Sequence, residues 1–313
     1  MKHILQDLRD HIRQEAHWGY YLTVGLILGC VIWLNYFSIP YQSFEAWLIL
    51  PAYGTHWATL RYVAMYGLPY LLAVMAYVYF HKEQQLLRSR EFWIKAGFGI
   101  LVLSFDAAFF YHRPIIRAID DAAAQHVVNQ FLLNLDSTLA MALPLFIFWI
   151  AYEKRKESFY GLTWKKFNPR PYLWLLLLMV PIVLGASMTE DFIEYYPTLK
   201  PERIAQWTAV PTWLTLAIFE FVYASDFLWT ELIFRGFFVV GMIRVMGKGA
   251  ILPCATLYAV RHFAKPVMET VGSIFGGYIL GVIAFRSKSI LGGFLVHVGI
   301  ALLMDVFALF QRM

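Results

Sequence analysis

Apolar residues recur along this chain in runs of about 20, the length an α-helix needs to cross the hydrocarbon of a bilayer. The runs lie at roughly Tyr20–Phe37, Tyr62–Phe80, Phe92–Tyr111, Phe131–Tyr152, Tyr172–Met188, Ala250–Phe263, Val267–Phe285 and Ile290–Phe310. A longer run, Trp207–Met246, is punctuated in its interior by Glu220, Asp226, Glu231 and Arg235. The fold class this predicts is all-α: a polytopic integral membrane helical bundle of about eight to ten transmembrane helices. Ahead of the first run, Ile4, Leu5, Leu8 and Ile12 stand at helical spacing among Lys2, Arg9 and Arg13. That spacing predicts an amphipathic helix on the cytoplasmic membrane surface. The chain thus divides into an amphipathic N-terminal segment (1–18), N-terminal transmembrane helices (19–206) and a C-terminal helical core (207–313).

The loops between the runs set a topology. "HKEQQLLRSREFWIK" and "EKRKESFYGLTWKKFNPR" are basic and read as cytoplasmic, whereas "TEDFIEYYPTLKPERIAQ" is acid-rich and reads as exterior. The N-terminus then lies inside, and the protein is expected in a plasma membrane such as the bacterial inner membrane. The stretch preceding the first run is too charged for a signal peptide and has no small-residue cleavage site, so the first span is expected to be retained. Within Trp207–Met246 the charge rule gives no answer. The reading adopted is one crossing with a broken or re-entrant piece near Asp226.

Composition supports the membrane reading. Of 313 residues 60% are hydrophobic and only 15% charged, well under the quarter usual in soluble domains. The net charge of +5 comes from short loops, and no basic patch argues for a nucleic-acid partner. Cys30 and Cys254 both lie in apolar runs and form neither a disulfide framework nor a metal-ligand pair. The expected partners are the lipid bilayer and a membrane-associated peptide or protein.

Candidate chemistry concentrates between Asp226 and Asp305. An ionisable group at membrane depth is costly unless it meets a partner or water, so a cluster of them marks a site. Glu231 and Arg235, four apart, share a helix face and can pair; taken alone they serve equally well as a buried ion pair joining helices. His262 closes an apolar run just before "FAKP", where Pro266 ends one helix and opens the next. Glu269 falls in the first turn of that next helix, so His262 and Glu269 flank one turn. His297 and Asp305 lie on one helical stripe but about 12 Å apart along the axis, so Asp305 serves another helix or the interface. Asp106, Asp136 and Glu220 read as interhelical partners or cavity wall. Gly272, Gly276, Gly277 and Gly281 form small-residue spacings suited to close helix packing.

At these residues the sequence resembles the CPBP intramembrane proteases (CAAX prenyl endopeptidase and bacteriocin-processing, also called the Abi family). Glu231 and Arg235 in "TELIFRG" match the family's Glu-Glu-x-x-x-Arg element, Tyr258 and His262 in "YAVRH" its aromatic-x-x-x-His element, and His297 its final His element. Thr230 stands where the family has the first Glu of the pair, and Ala301 where it has Asn or Asp. Asp226, Glu269 and Asp305 are the acids available to substitute. The resemblance implies an intramembrane endopeptidase that activates water without a metal, with Glu231, His262, His297 and Glu269 catalytic and Arg235, Asp305 and Asp226 supporting. No cofactor is implied; zinc held by the histidines and carboxylates is the alternative chemistry. A catalytically inactive scaffold or immunity-type binding protein is the alternative function, and a proton-relaying transporter is disfavoured by the absence of an internal repeat.

Overall fold

Every apolar run folds as helix, and no strand occurs among the described residues, which are 2–15, 17–154, 158–165 and 167–312 of a computed structural model. The principal helices are α1 (Lys2–Glu15), α2 (Trp18–Phe37), α3 (His56–His81), α4 (Arg90–Ala107), α5 (Ala122–Ala151), α6 (Arg170–Ala186), α7 (Thr212–Glu231), α8 (Ile251–Val260), α9 (Val267–Ser287) and α10 (Leu291–Gln311). Six segments among the described residues are long and apolar enough to cross a membrane: α2, α3, α5, the stretch 212–260, α9 and α10. The shorter α4 and α6 complete the bundle. This is an integral membrane protein of all-α architecture. Part of the basic loop before α6, namely 155–157 and 166, lies outside the described residues.

Helix boundaries follow local chemistry where hydropathy alone misplaced them. Helix α5 begins nine residues before the apolar run because Asp121 caps it, accepting a hydrogen bond from Ala124 N at 2.6 Å. Ser89 caps α4 in the same way, accepting from Phe92 N. Between the first two apolar runs, Ser43 caps a short helix, Phe44–Ile49, that lies against α3. Helix α1 docks on α9, where the His11 ring packs against Tyr278 and Phe285.

The break in 212–260 is real but is not at Asp226. Helix α7 runs regularly through Asp226 to Glu231 and widens into a π-turn over Leu232–Phe237. The helical run then breaks into short pieces, Val240–Met242, Ile243–Met246 and Gly247–Ala250, before α8 resumes. Glycine explains the position. Gly247 adopts φ +56, a left-handed conformation costly for other residues. The freed carbonyl of Gly241 accepts a 2.7 Å hydrogen bond from Lys95 Nζ, a buried lysine also paired with Glu91 and Glu153. The helix stays regular through Asp226, which is therefore not where the backbone breaks.

The apolar core joins the N-terminal helices to the C-terminal ones. Tyr66, Tyr70 and Leu103 from α3 and α4 pack in one cluster with Leu232, Phe237, Phe238 and Leu257. Helix α8 lies between α3 and α9. Its close approach to α9 occurs at Gly277, beside Ala255 and Tyr258, and at Gly281 beside Ile251; Gly272 and Gly276 face open space. Helix α10 packs on α6 and α7. These contacts bring the end of α7, the end of α8 and the first half of α10 together.

Candidate active site

Glu231 is the last residue of α7 and is fully buried, as is Arg235 in the π-turn that follows. Their side chains pair at 3.2 Å, Glu231 Oε1 to Arg235 Nη1. The guanidinium carbon lies 4.1 Å from the centre of the Tyr258 ring, a cation–π contact suited to a dry site. π-turns inside α-helices recur at functional positions because they aim side chains a regular helix would not.

His297 of α10 completes a chain of contacts. Its Nδ1 lies 3.0 Å from Glu231 Oε1 and its Nε2 lies 3.0 Å from the Tyr258 hydroxyl. A carboxylate only accepts, so Nδ1–H donates to Glu231, and the Tyr258 hydroxyl donates to Nε2. The Phe227 ring packs on the imidazole at 4.5 Å between centroids. Close approach of α10 to Glu231 requires the glycine at 293, since a Cβ there would run into Glu231 Oε2. That second oxygen is buried with no hydrogen-bond partner among the described residues.

His262 lies in the turn between α8 and α9, beyond the end of the spanning segment at Val260. Its Nδ1–H donates to Tyr258 O at 2.8 Å, and its ring sits edge-on to the Tyr258 ring at 4.5 Å. Nε2 is left with its lone pair and no hydrogen-bond partner among the described residues. Burial, reinforced by the charge of Lys265, pushes the imidazole well below its ordinary pKa, so the ring is neutral at physiological pH.

The turn itself is held by α2, a contribution the sequence reading missed. Tyr36 Oη donates to Lys265 O at 2.7 Å and accepts from Thr270 Oγ1 at 2.6 Å, which also lies 2.7 Å from His262 O. Asn35 Nδ2 donates to Phe263 O at 3.2 Å. An asparagine within an apolar run was the one signal available in the sequence, since a buried amide must find partners.

The remaining acids are engaged elsewhere. Glu269 accepts from Lys265 Nζ at 2.6 Å and from the Tyr196 hydroxyl at 2.8 Å, so both its oxygens have partners. Asp305 accepts from Thr198 N at 3.1 Å and from Thr198 Oγ1, and it also meets Glu220, well away from His297. Asp226 is turned into the protein, with one buried carboxylate oxygen that has no hydrogen-bond partner among the described residues. Arg261, beside His262, pairs with Asp106 at 3.5 Å. Ala301 lies in an apolar cluster with Phe219, Tyr223 and Phe227. Among the described residues, no three His, Cys, Asp or Glu side chains are grouped as a metal ion would require.

The structure therefore brings Glu231, Arg235, Tyr258, His262 and His297 into one connected unit. Asp226, Glu269 and Asp305 stand around it, Glu269 and Asp305 each with its own partners. In sequence comparison, residues 206–303 match the family described as Rce1-like, type II CAAX prenyl endopeptidase Rce1-like. No curated protein and no solved structure matches the chain. The matched segment holds the whole connected unit, and over that segment this membrane protein is similar to the type II CAAX prenyl endopeptidases of the Rce1-like family.

Proposed function

We propose that this protein is an intramembrane endopeptidase that hydrolyses a peptide bond in a membrane-associated peptide or protein tail. The observation that carries the reading is the unpartnered Nε2 of a neutral His262 beside the fixed Glu231–His297–Tyr258 chain. A neutral imidazole with one nitrogen anchored and the other open is suited to take a proton from water. Here His262 is the base, and water attacks the scissile carbonyl. Glu231 is sealed from solvent, so its carboxylate acts through His297, fixing the tautomer and orientation of that ring. Arg235 balances the buried carboxylate and presses on the Tyr258 ring. Water activation without a metal is the favoured route, with zinc as the alternative. The N-terminus is assigned to the cytoplasmic side, supported by the basic segments that precede α4 and α6.

The test is hydrolysis by the full chain in proteoliposomes, using membrane-anchored peptides with and without a prenyl group and mass spectrometry of the products. Cleavage that disappears in His262→Ala with folding intact supports the reading. Insensitivity to strong chelators separates water activation by protein groups from zinc chemistry. Thr230 and Ala301 favour the second reading, a catalytically silent member that binds such peptides. Saturable peptide binding by a well-folded protein that cleaves nothing in the panel would establish that reading instead.

A further inference from the structure

Peptide hydrolysis needs a donor for the oxyanion of the tetrahedral intermediate as well as a base for water. His297 does not serve as that donor, because Nδ1–H is committed to Glu231 and Nε2 accepts from Tyr258. An imidazole held in that way has no proton to offer. The position four residues on, Ala301, carries no polar group and is buried among aromatic rings.

Lys265 is placed to supply what is missing. It closes the turn that carries His262, its N–H donating to His262 O at 3.0 Å. Its carbonyl is held by Tyr36 at 2.7 Å, so its backbone is fixed relative to the imidazole. The ammonium is held by Glu269 at 2.6 Å, and Tyr196 holds the other oxygen of that carboxylate. The side chain keeps 25% of its surface accessible, so the two protons not given to Glu269 can reach a bound peptide. Of the charges around His262, that of Lys265 acts most strongly to lower its pKa. The neighbouring cation, Arg261, is turned to Asp106.

We propose that Lys265 is a catalytic residue of this site, its ammonium donating a hydrogen bond to the tetrahedral oxyanion, and that Glu269 and Tyr196 are the residues that position it. The proposal rests on the endopeptidase reading above. In the step, a water oxygen bonds to the carbonyl carbon while His262 Nε2 takes its proton. The carbonyl π pair moves onto oxygen, where the Lys265 ammonium stabilises it without transferring a proton. Collapse re-forms the carbonyl and breaks the C–N bond as His262 returns the proton to the leaving amine. Glu269 thereby has a function that does not require it to meet water.

The experiment compares wild type, Lys265→Gln, Lys265→Arg and Glu269→Gln as full chains in proteoliposomes, with His262→Ala as reference. It measures kcat and KM on a cleaved peptide, and the affinity of a peptide aldehyde whose hydrate imitates the tetrahedral centre. Lys265→Gln is expected to lower kcat about 100- to 1,000-fold, the scale of losing an oxyanion donor, with KM little changed. Aldehyde affinity should fall in Lys265→Gln, and less in Glu269→Gln. A kcat for Lys265→Gln near that of wild type, or a change confined to KM, would overturn the proposal. If Lys265→Gln does not fold, Lys265→Arg decides: parallel losses in kcat and aldehyde affinity support the role, and unchanged aldehyde affinity refutes it. A wild-type protein that cleaves nothing removes the endopeptidase reading itself, which an active wild type with an active Lys265→Gln variant does not.

Discussion

Glu231 Oε1 lies 3.0 Å from His297 Nδ1 and 3.2 Å from Arg235 Nη1, with the carboxylate wholly out of solvent. One oxygen thus holds a guanidinium from the next turn of its own chain and an imidazole from α10. Removing one member of a buried ion pair leaves the other uncompensated, at a cost of about 3–5 kcal/mol. Glu231→Gln is therefore expected to lower the thermal unfolding midpoint markedly and to abolish hydrolysis. Adding Arg235→Met should recover much of the stability but none of the activity. Thermal unfolding in detergent beside the peptide assay checks both halves, and recovered activity in the double variant would sever Glu231 from the chemistry.

Tyr258 separates into a ring and a hydroxyl. The ring carries Arg235 and abuts His262, while the hydroxyl holds His297 Nε2. Tyr258→Phe keeps the ring contacts and removes one hydrogen bond, worth about 1 kcal/mol net. We expect unfolding to shift slightly while kcat falls about 10- to 100-fold, through loss of the anchored His297. Wild-type kcat in Tyr258→Phe would show that the hydroxyl is structural.

Gly293 and Gly276 form an internal control. A Cβ at 293 meets the Glu231 carboxylate, and one at 276 meets nothing within 4 Å. Overpacking a buried site costs about 1–3 kcal/mol, so Gly293→Ala should lose stability and activity together. Gly276→Ala should retain both. Equal unfolding midpoints for the two alanine variants would contradict the placement of α10 against Glu231.

A neutral His262 has a consequence for the pH profile. Its imidazole is held below the ordinary value by burial and Lys265, so it stays unprotonated through pH 6.5, where a free imidazole is half charged. The acid limb of kcat/KM is expected to lie below pH 6.5. A limb centred at or above that value would remove His262 as a buried neutral base.

A second histidine reports on the fold rather than the chemistry. Burial against α9, with Arg286 and Lys248 near, lowers His11 from 6.5 to about 4. Between those values the docked form binds fewer protons than the undocked one, so docking of α1 weakens as pH falls from 6.5 toward 4. Amide exchange across residues 5–12 should be slow at pH 8 and, corrected for intrinsic rate, faster at pH 5. His11→Phe should keep its protection at pH 5, and loss in both proteins alike would exclude His11 as the cause.

Much of this arrangement was legible in the chain. Runs of about 20 apolar residues demand helices, because a backbone in hydrocarbon must satisfy its own hydrogen bonds. Glu231, Arg235, His262 and His297 stood out because apolar helices carry such groups at a cost, and the i,i+4 pairing of Glu231 with Arg235 is a matter of helix geometry alone. Long-range partnership was not legible. Nothing local to Glu269 indicates that Tyr196, 73 residues away, takes one of its oxygens, nor that Tyr36 from α2 holds the turn beside His262. The break over residues 240–250 was misplaced to Asp226 because a buried acid and a broken helix both interrupt hydropathy. Lys95 on α4, which satisfies the freed Gly241 carbonyl, distinguishes the two. Covalent spacing determines which side chains share a helix face. Which faces meet depends on where small residues such as Gly277 and Gly293 let two backbones approach, and that is a property of the packed bundle.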